Sequence, residues 1–186
     1  RRSSDLADTD DAEKKKIIVE KGSHSIEMAI QTAREMARGL SSQFLSEVGY
    51  ISALNDFVQQ INLTRKININ FVANSNDRFG SFQELMLYRI TTELIKNTLT
   101  YANASRVDIT FDYDQLKKII SFTYVDNGAG FDWERIRKQK KGLGLMNIQQ
   151  RVLIMKGDME VKARPGEGMQ VLIQIPVGNK SEDVKI

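Results

Sequence analysis

Cysteine is absent from all 186 residues, so neither a disulfide framework nor thiolate chemistry is available. There is a single histidine, His24, and a histidine-based metal site would need mostly carboxylate partners. No apolar run approaches the roughly 18 residues of a membrane-spanning helix, and no secretory leader is visible. The 27 basic and 24 acidic residues are interspersed and leave a net charge of only +3. No uninterrupted Lys/Arg block exceeds three residues, so the charge does not point to nucleic acid. The pattern GxxxxGK[ST] is missing, which excludes a P-loop, and no GxGxxG opens a βαβ unit, so a dinucleotide fold is unsupported. There is no internal repeat and no low-complexity tract. A start at Arg1 rather than Met reads as a fragment, with a sensor or membrane segment upstream.

What is present is globular. Hydrophobic residues make up 41% and charged residues 27%, over a length that holds one ordinary domain plus an appendage. Residues 1–14 are polar and acidic and read as a loop. From Ser23, Ile26, Ala29, Ile30, Ala33, Met36, Ala37 and Leu40 recur at helical spacing between charged flanks, as in a bundle seam. Ile51, Leu54, Phe57, Val58 and Ile61 predict a second helix. The period then changes to two at Ile67, Ile69 and Phe71, predicting a strand. Residues 82–102 read as helix, with Leu85, Ile90, Leu94 and Leu99 inside. Val107, Ile109 and Phe111 alternate, as do Ile119, Phe122 and Tyr124, predicting a hairpin across 112–115. A helix is expected over 144–156. A second hairpin pairs 158–164 with 169–176 and turns on Pro165-Gly166-Glu167-Gly168. This mixed order argues for an α+β fold: a mainly antiparallel sheet with helices on one face.

Four stretches carry the chemistry. Glu93 and Asn97 stand at i and i+4 on one helix face, and Tyr101 continues that face one turn later. Alone, such a pair is a solvated face. An Asn inside an apolar helix gains a reason if its amide oxygen meets a hard cation, which keeps waters and binds substrate phosphates. Asp126 ends an apolar strand, where a carboxylate is costly unless paired. It either caps a turn or accepts a hydrogen bond from an exocyclic amine, and Gly128 and Gly130 then let backbone approach a ligand closely. Gly142 and Gly144 open a helix after the basic run 135–141, so free N–H groups and the positive dipole end can face phosphates. The 11 residues between Gly130 and Gly142 read as a short lid.

In order, Glu93-x-x-x-Asn97, Asp126-x-Gly128-x-Gly130, Gly142-x-Gly144-Leu145 and Gly166-x-Gly168 resemble the motifs of the GHKL ATPase superfamily. Over residues 22–177 the wording is similar to the catalytic domain of bacterial two-component sensor histidine kinases of the nitrate-sensor type. That subgroup has a short lid and a Glu where many kinases have a first Asn. The stretch 34–54 looks like its second dimerisation helix and junction. The resemblance implies a two-layer α+β sandwich, with helices on one face of a mixed sheet, preceded by a long helix from a dimerisation bundle. Residues 1–45 would be linker and second dimerisation helix, 46–178 the ATP-binding domain, and 179–186 a flexible tail.

Carried over residue by residue, the resemblance makes Asn97 a Mg²⁺ ligand and Glu93 the holder of a metal-bound water, the two catalytic positions. Asp126 would accept from the adenine amino group, with Gly128 and Gly130 admitting the base. Gly142, Leu143, Gly144 and Leu145 would cradle phosphates, and Tyr101, Gly168 and Met169 would line the nucleotide site. The family usually has Lys or Arg where Thr100 stands, often His at Tyr101, and Thr at Met169; these departures bear on nucleotide affinity. His24 is followed by Ser25 rather than an acid, and stands only 73 residues before Asn97, so the phosphoacceptor helix is expected upstream of Arg1. The implied activity is transfer of the ATP γ-phosphoryl group, with Mg²⁺, to a histidine on that helix and then to a response-regulator receiver domain. The expected setting is a cytoplasmic homodimer, with membrane contact only through upstream segments and no nucleic-acid partner. Another GHKL enzyme (an anti-sigma-type Ser kinase or a conformational ATPase) and a non-catalytic nucleotide-binding module remain as alternatives.

Overall fold

Alternating apolar residues set five strands, and the computed structural model, which describes residues 42–138 and 143–178, joins them in one sheet. The elements are α1 (Ser42–Val48), α2 (Tyr50–Leu63), β1 (Asn68–Ala73), α3 (Ser81–Asn97), a π-helical turn (Thr98–Ala102), β2 (Arg106–Asp114), β3 (Ile119–Asp126), α4 (Trp133–Lys138), α5 (Leu143–Ile154), β4 (Asp158–Ala163) and β5 (Met169–Pro176). The strand order is β1-β2-β3-β5-β4. β1 runs parallel to β2, and the other neighbours are antiparallel. This is the expected mainly antiparallel mixed sheet. The helix expected over 23–40, His24, Gly142 and the tail 179–186 lie outside the described residues.

One sheet face forms the core. Val107, Ile109 and Phe111 of β2, Ile120, Phe122 and Tyr124 of β3, and Val171, Ile173 and Ile175 of β5 are buried, while their neighbours on the other face are half-buried or exposed. Against this layer α2 buries Tyr50, Ile51, Leu54, Phe57, Val58 and Ile61. α3 adds Leu87, Ile90 and Leu94, and α5 adds Leu145, Ile148 and Val152. Each large side chain so buried contributes about 1.5–3 kcal/mol before chain entropy is counted. Leu85 and Leu99, expected inside, are only partly buried against this core.

Three local features depart from the expected pattern. The first hairpin turns three residues later than expected, because β2 and β3 pair out to Asp114 opposite Ile119. The Asp114 carboxylate accepts from the N–H groups of Leu116 and Lys117, both at 3.0 Å, and Lys118 takes a left-handed φ of 53°. The long helix ends its α geometry at Asn97 and widens into the π turn. The basic run, expected as loop, is partly helical, because Asp132 accepts from the Arg135 N–H at 2.9 Å and so starts α4.

The junction between α1 and α2 is tied to α3 by polar groups that a purely apolar core would lack. Gly49 turns the chain at φ 82°, and a Cβ there would stand 2.8 Å from Arg78 Nε. Arg78 donates from Nε to Glu84 Oε1 at 2.8 Å and from Nη2 to the Ser46 carbonyl at 2.8 Å, closing the end of α1. Glu84 is 1% exposed and also accepts from the Phe79 N–H at 3.0 Å. Deeper, Tyr50 Oη lies 2.9 Å from Thr91 Oγ1. Thr91 spends its own proton on the Leu87 carbonyl, so Tyr50 is the donor. Burial raises the Tyr50 pKa well above the phenol range, against the opposing pull of the Thr91 bond, and keeps it protonated.

The asymmetry of this clamp predicts which half matters more. Arg78→Ala leaves a buried carboxylate without its guanidinium and should destabilise by about 3 kcal/mol. Glu84→Gln keeps the shape and one acceptor and should cost about 1 kcal/mol. The double variant should be more stable than Arg78→Ala alone, since no buried charge remains. Urea unfolding of the three proteins checks the order, and a Glu84→Gln loss equal to that of Arg78→Ala would refute it.

Candidate functional site

Glu93 and Asn97 lie one turn apart at the C-terminal end of α3, both half-buried. The N-terminus of α5 is packed directly on them. A Cβ added to Gly144 would stand 3.1 Å from Glu93 Oε1, 3.1 Å from Asn97 Nδ2 and 3.3 Å from Asn97 Oδ1. Glycine is therefore what allows the α5 backbone to close on the two polar side chains. Leu145 is buried and anchors that end of α5. Lys96 Nζ lies 3.9 Å from Glu93 Oε2, a loose exposed pair of little energetic weight. Among the described residues no three His, Cys, Asp or Glu side chains gather into a metal cluster. One carboxylate and one amide oxygen facing a helix N-terminus fit a hard cation that keeps its waters and shares phosphate ligands.

The second group of residues surrounds Asp126. The alternation of β3 turns its side chain onto the buried sheet face, where it is 3% exposed. Thr98 Oγ1 donates to Asp126 Oδ2 at 3.0 Å, and the Gly128 N–H donates to Oδ1 at 2.9 Å. Behind Thr98, Tyr124 Oη donates to its Oγ1 at 2.7 Å. Burial holds the Tyr124 phenol far above its usual pKa; the Thr98 bond opposes this and the Asp126 charge adds to it. Tyr124 is thus a permanent donor. Met169 is buried directly across the ladder from Asp126.

The glycines answer to the protein's own backbone. A Cβ on Gly128 would meet Ala102 Cβ at 2.5 Å and the Ala102 carbonyl oxygen at 2.6 Å, because the Ala129 N–H bonds that carbonyl at 2.7 Å. Gly130 has φ +58°, and its Cβ would strike the Arg164 carbonyl; Gly168 has φ +74°, and its Cβ would strike the Asp126 carbonyl. The Gly166 N–H donates to the Ala129 carbonyl at 2.6 Å, stitching the β4–β5 turn to the loop after β3. Sequence reasoning assigned Gly128 and Gly130 to ligand approach; the nearer constraint is this backbone-on-backbone seam.

One expected position stands apart. Tyr101 is 79% exposed, because the π turn breaks the register that would have continued the Glu93 and Asn97 face. Leu143 begins α5. Sequence reasoning missed Thr98, Tyr124 and the clasp made by Asn127, whose Oδ1 accepts from the N–H groups of Ser105 at 3.0 Å and Arg106 at 2.9 Å. The available signals were Thr98 beside Asn97 and Tyr124 two residues before Asp126 on the same strand face.

The family described as histidine kinase-, DNA gyrase B-, and HSP90-like ATPase matches residues 82–179, more than half of the chain. The chain belongs to that ATPase family. The matched residues include both groups just described. The chain is 28% identical over 155 residues to the signal transduction histidine-protein kinase/phosphatase DegS of Brevibacillus brevis, covering 82% of this chain and 39% of that protein. It is 26% identical over 138 residues to DegS of Bacillus subtilis (strain 168), covering 72% of this chain and 35% of that protein. The chain therefore spans little more than a third of the length of these relatives. The histidine kinase domain of the blue-light activated histidine kinase of Erythrobacter litoralis EL346 superposes with a TM-score of 0.60 at 18% identity, over 81% of this chain and 82% of that one, and shows the same fold.

Gly166 and Gly168 separate strain from collision. Gly166 has φ +82° with open space around it, so Gly166→Ala should cost only the left-handed penalty of about 1 kcal/mol. Gly168→Ala adds a clash with backbone and should cost more than about 3 kcal/mol. Paired chemical denaturation curves measure the gap, and equal losses would show that the seam yields.

Proposed function

We propose that this module binds Mg-ATP, with its phosphates between Asn97 and the N-terminus of α5 and its adenine at Asp126, and serves a sensor histidine kinase. The observation that carries the reading is the approach of Gly144 to Glu93 and Asn97. It gathers an amide oxygen, a carboxylate and free helix N–H groups at one point, the donor set a cation-bound polyphosphate requires. Mg²⁺, when bound, neutralises phosphate charge. Asn97 offers its amide oxygen at that point, and Glu93 accepts a hydrogen bond from water there. Leu143, Gly144 and Leu145 present backbone N–H groups to the phosphates, and Gly142, outside the described residues, is assigned to the same role by its sequence position alone. Asp126, held by Thr98 and Gly128, accepts from the adenine amine. Gly130, Gly168 and Met169 shape the base side, and Tyr101 lies at the rim. Transfer breaks the bond from the γ-phosphorus to the bridging oxygen, forms a P–N bond to a histidine, and releases ADP. Little covalent work falls to the protein, so positioning and electrostatics supply the rate.

The similarity to DegS proteins supports the kinase reading. The histidine would lie on a dimerisation helix outside the described residues, in a homodimer. The phosphoryl group would pass to a receiver domain of a response regulator in the cytoplasm. Glu93 in place of a first Asn, and the 11-residue interval between Gly130 and Gly142, support the nitrate-sensor-type subgroup.

Asn97→Ala should weaken Mg-ATP binding by at least about tenfold, the loss of one charge-assisted contact, while the melting temperature stays within a few degrees. Isothermal titration with ATP, with and without Mg²⁺, measures it. Phosphotransfer is tested separately by adding a histidine-bearing dimerisation segment of the full-length protein with labelled ATP. Unchanged Mg-dependent binding in the variant would remove Asn97 from the metal site, and binding without transfer would leave a nucleotide-binding module.

A further inference from the structure

Of the four threonines along α3 and the turn that follows it, three are buried or half-buried, and one of these behaves differently. Thr91 and Thr92 donate their hydroxyl protons to the carbonyls four residues back, Leu87 and Tyr88, each at 2.9 Å. That is the ordinary local use of a helical threonine. Thr98 instead sends its proton across to β3, to Asp126 Oδ2 at 3.0 Å. The carbonyl it would have used, that of Leu94, lies 3.3 Å from Tyr124 Oη. Chemistry fixes the direction of the chain. A carboxylate only accepts, so the single Thr98 proton goes to Asp126, and Thr98 must then accept from Tyr124. Thr98 is 2% exposed and Tyr124 fully buried, so no water substitutes readily.

We propose that Thr98, backed by Tyr124, is the positioning residue that sets base selectivity by holding the Asp126 carboxylate in one orientation. The inference rests on the base-reading role given to Asp126 above. With the Gly128 N–H on Oδ1 and the Thr98 hydroxyl on Oδ2, the carboxylate plane is pinned at both oxygens. The remaining acceptor capacity then points one way, and an exocyclic amine is rewarded only there. Without the Thr98 proton the plane can rotate about its Cβ–Cγ bond, and a ligand amine must order it on binding. Thr98 is also the residue after Asn97, so the turn that aims the base-reading carboxylate carries the metal-site amide as well.

The probe is the ratio of affinities for ATP and for purine riboside 5′-triphosphate, which lacks only the 6-amino group. Titration of the full chain is run with Mg²⁺ on the parent, Thr98→Val, Thr98→Ser, Tyr124→Phe and Asp126→Asn. Thr98→Val keeps the shape and removes the proton. Its ratio should fall about tenfold, the scale of one lost hydrogen bond to a charged group. Its affinity for the deamino analogue should stay within about twofold, which general damage to the pocket would not allow. Thr98→Ser should restore the ratio, and Tyr124→Phe should lower it part-way. If Asp126→Asn collapses the ratio while Thr98→Val and Tyr124→Phe leave it at the parent value, the positioning role is wrong and the base reading stands. If Asp126→Asn leaves the ratio unchanged, the base reading itself falls and this inference with it. A Thr98→Val protein that loses both nucleotides equally, with Thr98→Ser no better, also overturns it.

Discussion

The buried carboxylate of Asp126 is the constraint on which the rest of the site depends. A charge on the inner face of a sheet is tolerable only if its oxygens are satisfied, and here the donors come from two different parts of the chain. Thr98 supplies one from the turn after α3, and Gly128 supplies the other from the loop after β3. Satisfying one side chain therefore fixes the end of a helix against the end of a strand. The π turn lies in the same stretch, and its last residue, Ala102, accepts from the Ala129 N–H. Pocket and fold are in this sense one hydrogen-bond problem with one solution.

α3 is the element through which the parts communicate. Its first turn holds Glu84 in the Arg78 clamp, its middle holds Thr91 against Tyr50, and its last turn holds Glu93 and Asn97. A helix rises 1.5 Å per residue, so these three anchors are spaced along most of its length. The polar anchors, unlike apolar packing, specify both the rotation and the height of the helix.

Much of this was legible in the sequence, for identifiable reasons. The strands, α2 and the β4–β5 hairpin followed from period and turn chemistry. Glu93, Asn97 and Asp126 were singled out because each is a polar residue in an apolar pattern. Gly144 was singled out by its glycine partner at 142 and its place at the start of a helix. The errors are also physical. Tyr101 was misplaced because helical spacing was assumed through a π turn that no local signal announces. The first hairpin slipped because Asp114 competes for the backbone. Gly128 and Gly130 were recognised as close approaches, and within the fold the groups they approach are Ala102 and the Arg164 carbonyl. Thr98 and Tyr124 escaped because their meaning arises only when α3 and β3 are brought together.

The backbone seam has a consequence for how such chains diverge. Gly128, Gly130 and Gly168 are demanded by steric contact within the protein, whether or not a nucleotide is ever bound. A divergent relative with this backbone would be pressed to keep all three, since a side chain at any one of them collides with the protein itself. Glu93 and Asn97 carry no such steric burden, and nothing in the backbone packing holds them in place. The glycine signature is thus written by the fold itself, while the polar pair at the end of α3 is not.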